Sequence, residues 1–307
     1  MDAKPVGRFA PSPSGVMHLG NVFSALLAWL SVRSAGGRMI LRIEDLDPDR
    51  SRQEYADAIR RDLAWLGLDW DEESLPQSGR TEYYRAAFDT LDRMGLVYPC
   101  YCTRAQLHAA SAPHASDGRS VYPGTCRSLR PEDRPVGRAP AWRLRVPDET
   151  VAFRDGHMGE YRENLLRECG DFIIRRSDGV YAYQLAVVVD DADMNVTQVV
   201  RGSDLLSSTP RQLYLYRLLG KPAPEFYHVP LLTDPDGRRL SKRDGDLDLE
   251  ALRRDHASEQ LIGLLACAAG LRPGPQPVSA AELAPEFDWE QITKRRTVDI
   301  RSILEQT

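Results

Sequence analysis

One stretch near the N-terminus restricts the possible folds more than any other. Arg8-Phe9-Ala10-Pro11-Ser12-Pro13-Ser14-Gly15-Val16-Met17-His18-Leu19-Gly20-Asn21 runs straight into residues 22–33, where Val22, Leu26, Trp29 and Leu30 recur at helical spacing until Gly36-Gly37 stops them. Residues 7–13 read as the end of a first strand and a loop. A Pro/Ser/Gly-rich turn between strand and helix start exposes backbone N–H groups at the positive end of a helix dipole, which makes an anion cradle. The next segments keep the same rhythm. Residues 39–43 form a strand ending in the acidic turn Glu44-Asp45-Leu46-Asp47-Pro48, and residues 55–66 and 83–94 are amphipathic helices. Strand–helix–strand–helix order predicts an α/β fold with a doubly wound parallel sheet.

A second segment lies far away. Asp234-Pro235-Asp236-Gly237 introduces the basic loop Arg238-Arg239-Leu240-Ser241-Lys242-Arg243. A mobile ammonium such as that of Lys242 can follow charge moving between phosphates during in-line displacement. His18 and Asn21 fall in the first helical turn, where imidazole, amide and backbone N–H groups can face charge growing on a phosphate. Gly20, lacking a Cβ, would let a flat ring such as an adenine lie close against the backbone. Glu44, at the carboxyl end of its strand, could hold an α-ammonium, and Arg8, at the end of the first strand, could pair bidentately with a carboxylate. Taken singly, a His before a helix is commonly a surface residue, a basic loop is commonly solvated, and Arg8 and Glu44 are more often structural ion pairs. The combined string is much rarer by chance.

These two segments resemble the paired "HIGH" and "KMSKS" signatures of class I aminoacyl-tRNA synthetases, in the form used by the glutamyl/glutaminyl branch. The Met of the second signature is Leu240 here, a near-isosteric change. The resemblance implies a Rossmann-like catalytic domain that activates an amino acid with ATP, accompanied by Mg²⁺, and passes it to RNA. It places His18, Gly20, Asn21, Leu240, Ser241 and Lys242 around ATP. Arg42-Ile43-Glu44-Asp45-Leu46-Asp47 further resembles the amino-acid pocket of glutamyl-tRNA synthetases. By that resemblance Arg8, Phe9, Ala10, Pro11, Ser12 and Glu44 line a glutamate site. Tyr183, within Tyr181-Ala182-Tyr183-Gln184, and Arg201, opening Arg201-Gly202-Ser203-Asp204, complete it. Arg8 and Arg201 are the candidates for the side-chain carboxylate. Rejecting glutamine would then cost the competitor a buried charge interaction of about 2–5 kcal/mol.

Between residues 98 and 148 the long periodic elements give way to Cys, Pro, Gly and Arg, as in a module with little core of its own. The chain has five cysteines and no secretory leader pattern at its start, so disulfides are not expected. Cys100, Cys102 and Cys126 fit a tetrahedral Zn²⁺ site lacking one ligand, for which His108 and His114 are the chemically ordinary choices. The spacing Tyr122-Pro123-Gly124-Thr125-Cys126 resembles a Cys-x-Cys…Tyr-x-x-x-Cys pattern in a short relative of glutamyl-tRNA synthetases, which implies Tyr122 instead. Cys169 and Cys267, in apolar surroundings, read as plain buried thiols.

Strands are predicted over residues 171–174, 185–189, 199–200 and 229–232, with helices over 209–219, 249–254 and 259–269. The resulting division is 1–97, the first half of the catalytic domain; 98–180, an inserted zinc module; 181–245, the second half with the basic loop; and 246–307, a helical subdomain. Only 61 residues follow Asp246 (307 minus 246), fewer than the ~100–150 of a typical anticodon-reading domain. With the Tyr-containing pattern, this resembles the glutamyl-queuosine tRNA(Asp) synthetase family. Such enzymes activate glutamate without tRNA and esterify it to the cyclopentenediol of queuosine in the anticodon loop. The implied partners are ATP, L-glutamate and tRNA(Asp) carrying queuosine, with no membrane and no obligate protein partner. A truncated glutamyl-tRNA synthetase, a non-catalytic zinc-stabilised RNA-binding paralogue and a generic nucleotidyltransferase are the competing readings. No apolar run approaches the ~20 residues of a membrane span, so a cytoplasmic location is expected. The net charge of -5 argues against indiscriminate nucleic-acid coating. Arginines 127, 130, 134 and 138, the basic loop, and Lys294-Arg295-Arg296 remain candidate RNA contacts.

Overall fold

The computed structural model describes residues 4–103, 121–238, 240 and 248–304. Strand β1 (Val6–Phe9) leads through residues 10–17 into helix α1 (Leu19–Ser34), followed by β2 (Arg38–Leu41), α2 (Gln53–Trp65) and β3 (Glu72–Glu73). The three strands are parallel, with Phe9 opposite Leu41 and Leu41 opposite Glu73. Helix α3 (Thr81–Arg93) then gives way to β4 (Val97–Cys100), β5 (Ala141–Leu144), the hairpin β6 (Thr150–Asp155) and β7 (Gly159–Asn164), and β8 (Phe172–Arg175). These inserted strands pair antiparallel, in the order β4-β5-β8 beside the separate β6-β7 ribbon.

The chain next forms α4 (Tyr183–Asp193), β9 (Gln198–Gly202), α5 (Thr209–Leu218) and β10 (Glu225–Val229). β9 and β10 are parallel, and Thr197 donates its backbone N–H to Val6 at 2.9 Å, setting β9 beside β1. β11 (Leu231–Thr233), α6 (Leu249–Asp255), α7 (Ser258–Ala269) and β12 (Thr297–Asp299) complete the main elements, β11 pairing parallel with β12.

Two apolar layers sandwich the sheet. Met39, Leu41 and Val200 point into a core shared with α1, α2 and α7, while Ile40 and Val199 point into another shared with α3, α4 and α5. Side chains alternating between faces, each face covered by helices, define the expected doubly wound α/β architecture. Among the described residues no helix is long and apolar enough to cross a membrane.

Two sequence expectations are corrected. Residues 185–189 are not a strand: they belong to helix α4, where Leu185, Ala186, Val187 and Val188 are all buried. An element covered on every side carries no amphipathic period, so a short apolar run there reads the same as a buried strand. The strand predicted over 229–232 is two strands, β10 and β11, divided at Pro230, which has no N–H to offer a ladder.

Candidate active site

The turn after β1 and the first turn of α1 form one wall of a cleft at the carboxyl end of the sheet. His18 is the N-cap of α1: its Nδ1 accepts the Gly20 N–H at 3.1 Å, and Asn21 Oδ1 accepts the His18 N–H at 3.3 Å. This reciprocal cap satisfies two backbone donors and fixes the imidazole against the helix. With Nδ1 accepting, the neutral ring carries its proton on Nε2. A Cβ at Gly20 would stand 3.0 Å from His18 Nδ1 and Cε1, so any larger residue there would have to displace the capping imidazole by a few tenths of an ångström.

Arg8, Phe9, Ala10, Pro11, His18, Gly20, Asn21, Glu44, Tyr183, Arg201 and Leu240 line the cleft, and Ser12 lines an adjoining recess that shares Pro11, His18, Glu44 and Tyr183 with it. The structure thus gathers these expected residues around one contiguous space. Ser241 and Lys242 lie outside the described residues. The chain on either side of them reaches the cleft: Leu240 is in its lining, and Asp248 forms a β-bridge with His18 while Leu249 donates to Met17 O at 2.9 Å.

The buried ions here have very different company. Arg42, fully buried, donates to Asp191 Oδ1 at 2.7 Å and Glu44 Oε1 at 3.0 Å and lies 3.7 Å from Asp190 Oδ2. Desolvation works against its charge, but Asp191, Glu44 and Asp190 outweigh it and hold the guanidinium firmly protonated. Arg8 pairs with Asp191 at 3.4 Å. So the bland expectation of structural ion pairs holds for both Arg8 and Glu44, and both still line the cleft. Burial pushes the Glu44 carboxyl above the usual glutamate range, with Arg42 pulling it back only in part.

Arg201 is different. It is buried, and its hydrogen bonds go to His228 Nε2 at 3.0 Å, Thr209 Oγ1 at 2.8 Å, Tyr183 Oη at 3.4 Å and the Leu205 carbonyl at 3.5 Å. Among the described residues no carboxylate forms an ion pair with it. A cation desolvated among neutral acceptors, facing a cleft, is set to take an anion, and burial accordingly lowers its pKa.

Several lining residues had not been singled out from sequence, among them Met17, Ser24, Val200, Asp204 and Leu205. More consequential are Asp190 and Asp191, which anchor the pocket from behind. Asp190 accepts from Arg80 Nε at 2.7 Å, Gln77 Nε2 at 2.7 Å and Tyr84 Oη at 2.9 Å. Two carboxylates ending an apolar run were the available signal, since such groups are buried only when paired.

The inserted strands carry a second cluster. Cys100, Cys102 and Cys126 bring their Sγ atoms within 4.8 Å of one another, with Cys102 and Cys126 at 3.6 Å. Tyr122 Oη lies 3.5 Å from Cys100 Sγ and 4.0 Å from Cys102 Sγ. Tetrahedral Zn–S bonds of ~2.3 Å separate ligand atoms by about 3.8 Å, so the three thiols are spaced as a group that could hold a metal ion, with the Tyr122 hydroxyl beside two of them. Burial and the Cys100 sulfur push the Tyr122 phenol's pKa well up; phenolate ligation therefore needs the charge of an ion. The Arg143 guanidinium stacks 3.6 Å from the Tyr122 ring centroid. His108 and His114 lie outside the described residues. Cys169 is buried as expected, its thiol pushed up to about 11 by burial. Cys267 is only half-buried, a correction, because it faces outward from α7 while the residues on either side of it pack inward.

This chain belongs to the glutamyl/glutaminyl class I tRNA synthetase family: the family model described as tRNA synthetases class I (E and Q), catalytic domain, matches residues 5–298. Among curated proteins it is 53% identical over 304 residues to the Glutamyl-Q tRNA(Asp) synthetase of Symbiobacterium thermophilum, covering 94% of each chain. It is likewise 53% identical over 314 residues to the protein of that name from Nitratidesulfovibrio vulgaris, covering 98% of this chain and 97% of the relative. Among solved structures, a glutamate tRNA ligase from Elizabethkingia meningosepticum in complex with its amino acid superposes with a TM-score of 0.82 at 27% identity, over 98% of this chain and 68% of that one.

Proposed function

We propose that the protein activates L-glutamate with ATP, without needing tRNA for that step, and transfers the glutamyl group to the queuosine cyclopentenediol at the wobble position of tRNA(Asp). The observation that carries the amino-acid assignment is Arg201, a buried guanidinium that forms no ion pair with a carboxylate among the described residues, in the lining of the same cleft as Glu44. Near full-length likeness to relatives named Glutamyl-Q tRNA(Asp) synthetase supports the RNA acceptor.

In this reading Arg201 and Arg8 take the side-chain carboxylate, and Glu44 takes the α-ammonium. Phe9, Ala10, Pro11, Ser12 and Tyr183 shape the pocket between them. The α-carboxylate attacks the α-phosphorus of ATP, and pyrophosphate leaves as the P–O bond forms the mixed anhydride. His18 and Asn21 at the start of α1 face the charge that develops on the phosphate, and Gly20 gives the adenine room. Leu240, Ser241 and Lys242 close over the phosphates, and Mg²⁺ accompanies ATP. A queuosine hydroxyl then attacks the glutamyl carbonyl and AMP departs. A ribose diol and a cyclopentenediol present similar nucleophiles, so one catalytic core can serve either.

The four-part division of the chain belongs to this proposal, with residues 98–180 a module held by Zn²⁺ on Cys100, Cys102, Tyr122 and Cys126. Zinc there supplies cross-linking for a small core, leaving the chemistry to the cleft. A cytoplasmic location follows from the tRNA substrate.

The test is glutamate-dependent ATP–pyrophosphate exchange without RNA, abolished or strongly depressed in Lys242→Ala. Labelled glutamate is then incubated with total tRNA and the product cut by nuclease. Label in the anticodon-loop fragment is expected; label on the 3′-terminal adenosine, or labelling of tRNA from cells that cannot make queuosine, rejects the acceptor assignment.

A further inference from the structure

Behind Arg201 lies a fully buried pair outside the cleft lining. His228, on β10, has its Nδ1 2.6 Å from Asp155 Oδ2 and its Nε2 3.0 Å from Arg201 Nε. Asp155 ends β6, so the carboxylate comes from the inserted ribbon and the imidazole from the nucleotide-binding sheet. The partners dictate the tautomer. A guanidinium can only donate, so Nε2 must accept, and the ring proton must sit on Nδ1 and be donated to Asp155. Asp155 is itself fixed, because its Oδ1 accepts backbone N–H groups from His157 at 3.0 Å, Met158 at 2.8 Å and His228 at 3.1 Å. The Phe226 ring lies beside the imidazole, nearly parallel to it at 15° with centroids 6.3 Å apart.

We infer that the Asp155–His228 pair is a positioning device for Arg201, fixing the guanidinium on the neutral Nε2 lone pair so that its outer nitrogens meet the substrate's side-chain carboxylate and favour glutamate over glutamine. This rests on the reading of Arg201 as the carboxylate-binding residue. The logic is that of a carboxylate-oriented histidine in which the imidazole holds a substrate-binding group rather than moving a proton. A second Arg201 bond, to Thr209 Oγ1 at 2.8 Å, sets the other end of the plane. Arg201 therefore needs no carboxylate of its own to be held, and its charge is left for the ligand.

Asp155→Asn tests the tautomer with almost no change of shape. Three backbone donors keep an oxygen at the Oδ1 position, which forces the new NH₂ towards His228 Nδ1. The imidazole must then accept there and carry its proton on Nε2, facing the Arg201 N–H donor to donor. In the exchange assay the glutamate KM is expected to rise about 10–100-fold with the ATP KM within about twofold, and the preference for glutamate over glutamine to fall. His228→Leu should share the defect. His228→Gln, whose amide oxygen can occupy the place of Nε2, should stay much closer to wild type. An unchanged glutamate KM in Asp155→Asn, equal rises for glutamate and ATP, or identical behaviour of the Leu and Gln variants overturns the inference. If Asp155→Asn does not fold, the Leu/Gln contrast decides alone. Arg201→Lys separates the two levels: a normal glutamate KM there sinks the reading of Arg201, whereas a defect there with a normal Asp155→Asn sinks only the positioning role.

Discussion

Replacing Glu44 by glutamine changes the polarity of the pocket and leaves its shape alone. Arg42 donates to Glu44 Oε1 from Nε at 3.3 Å and from Nη2 at 3.0 Å, so a glutamine must keep its oxygen at that position. Its NH₂ group then takes the place of the oxygen that faces the cleft, donor against the substrate's α-ammonium. Arg42 keeps Asp191 at 2.7 Å and Asp190 at 3.7 Å, so the buried guanidinium is not stranded and the fold survives. Losing one hydrogen bond between charged groups costs about 1.5–3 kcal/mol, or roughly 10–150-fold in the glutamate KM. Acid adds a second signature. Burial raises the Glu44 pKa above the ordinary range, with Arg42 opposing, so on falling pH the wild-type carboxylate protonates before an exposed glutamate does. The wild-type glutamate KM should therefore climb on acidification while that of Glu44→Gln stays flat, the two converging at the acidic end. Steady-state exchange across pH measures both. A Glu44→Gln enzyme with a normal glutamate KM at neutral pH, or a KM ratio constant with pH, refutes the assignment of Glu44 to the ammonium.

Gly20→Ala would set a Cβ 3.0 Å from the His18 ring and shift the capping imidazole; we expect a clear fall in exchange kcat with the thermal midpoint little changed, because alanine's better helix propensity offsets the strained cap, and an unchanged kcat refutes the importance of the imidazole's placement. Tyr122→Phe should lower zinc content in metal analysis while His114→Ala leaves it at one per chain, the reverse pattern giving the fourth place to the histidine. Asp190→Asn removes a buried charge that Arg80, Gln77 and Tyr84 all donate to. It should cost about 3–5 kcal/mol, seen as a thermal midpoint lower by several degrees, and a midpoint within a degree of wild type contradicts the anchoring role.

The sequence by itself determined the local chemistry. The Pro/Ser/Gly turn, His18 as cap and Gly20 beside it act within a few residues of one another, so spacing alone located the start of α1. The amphipathic helices α2 and α3 were legible because each has one buried face, and the Cys-x-Cys pair because sulfur donors announce themselves. Residues 185–189 were illegible for the opposite reason: only packing against α3 and α5 distinguishes a helix buried all round from a buried strand. Tertiary structure also decided the partners of the buried ions. Asp190 meets Arg80 across 110 positions and Asp155 meets His228 across 73, contacts that no local pattern encodes. Charge in a low-dielectric interior is settled by whichever elements the fold brings together, so the ion-pairing of Arg42 to carboxylates and the holding of Arg201 by neutral partners became visible only once the sheet had closed.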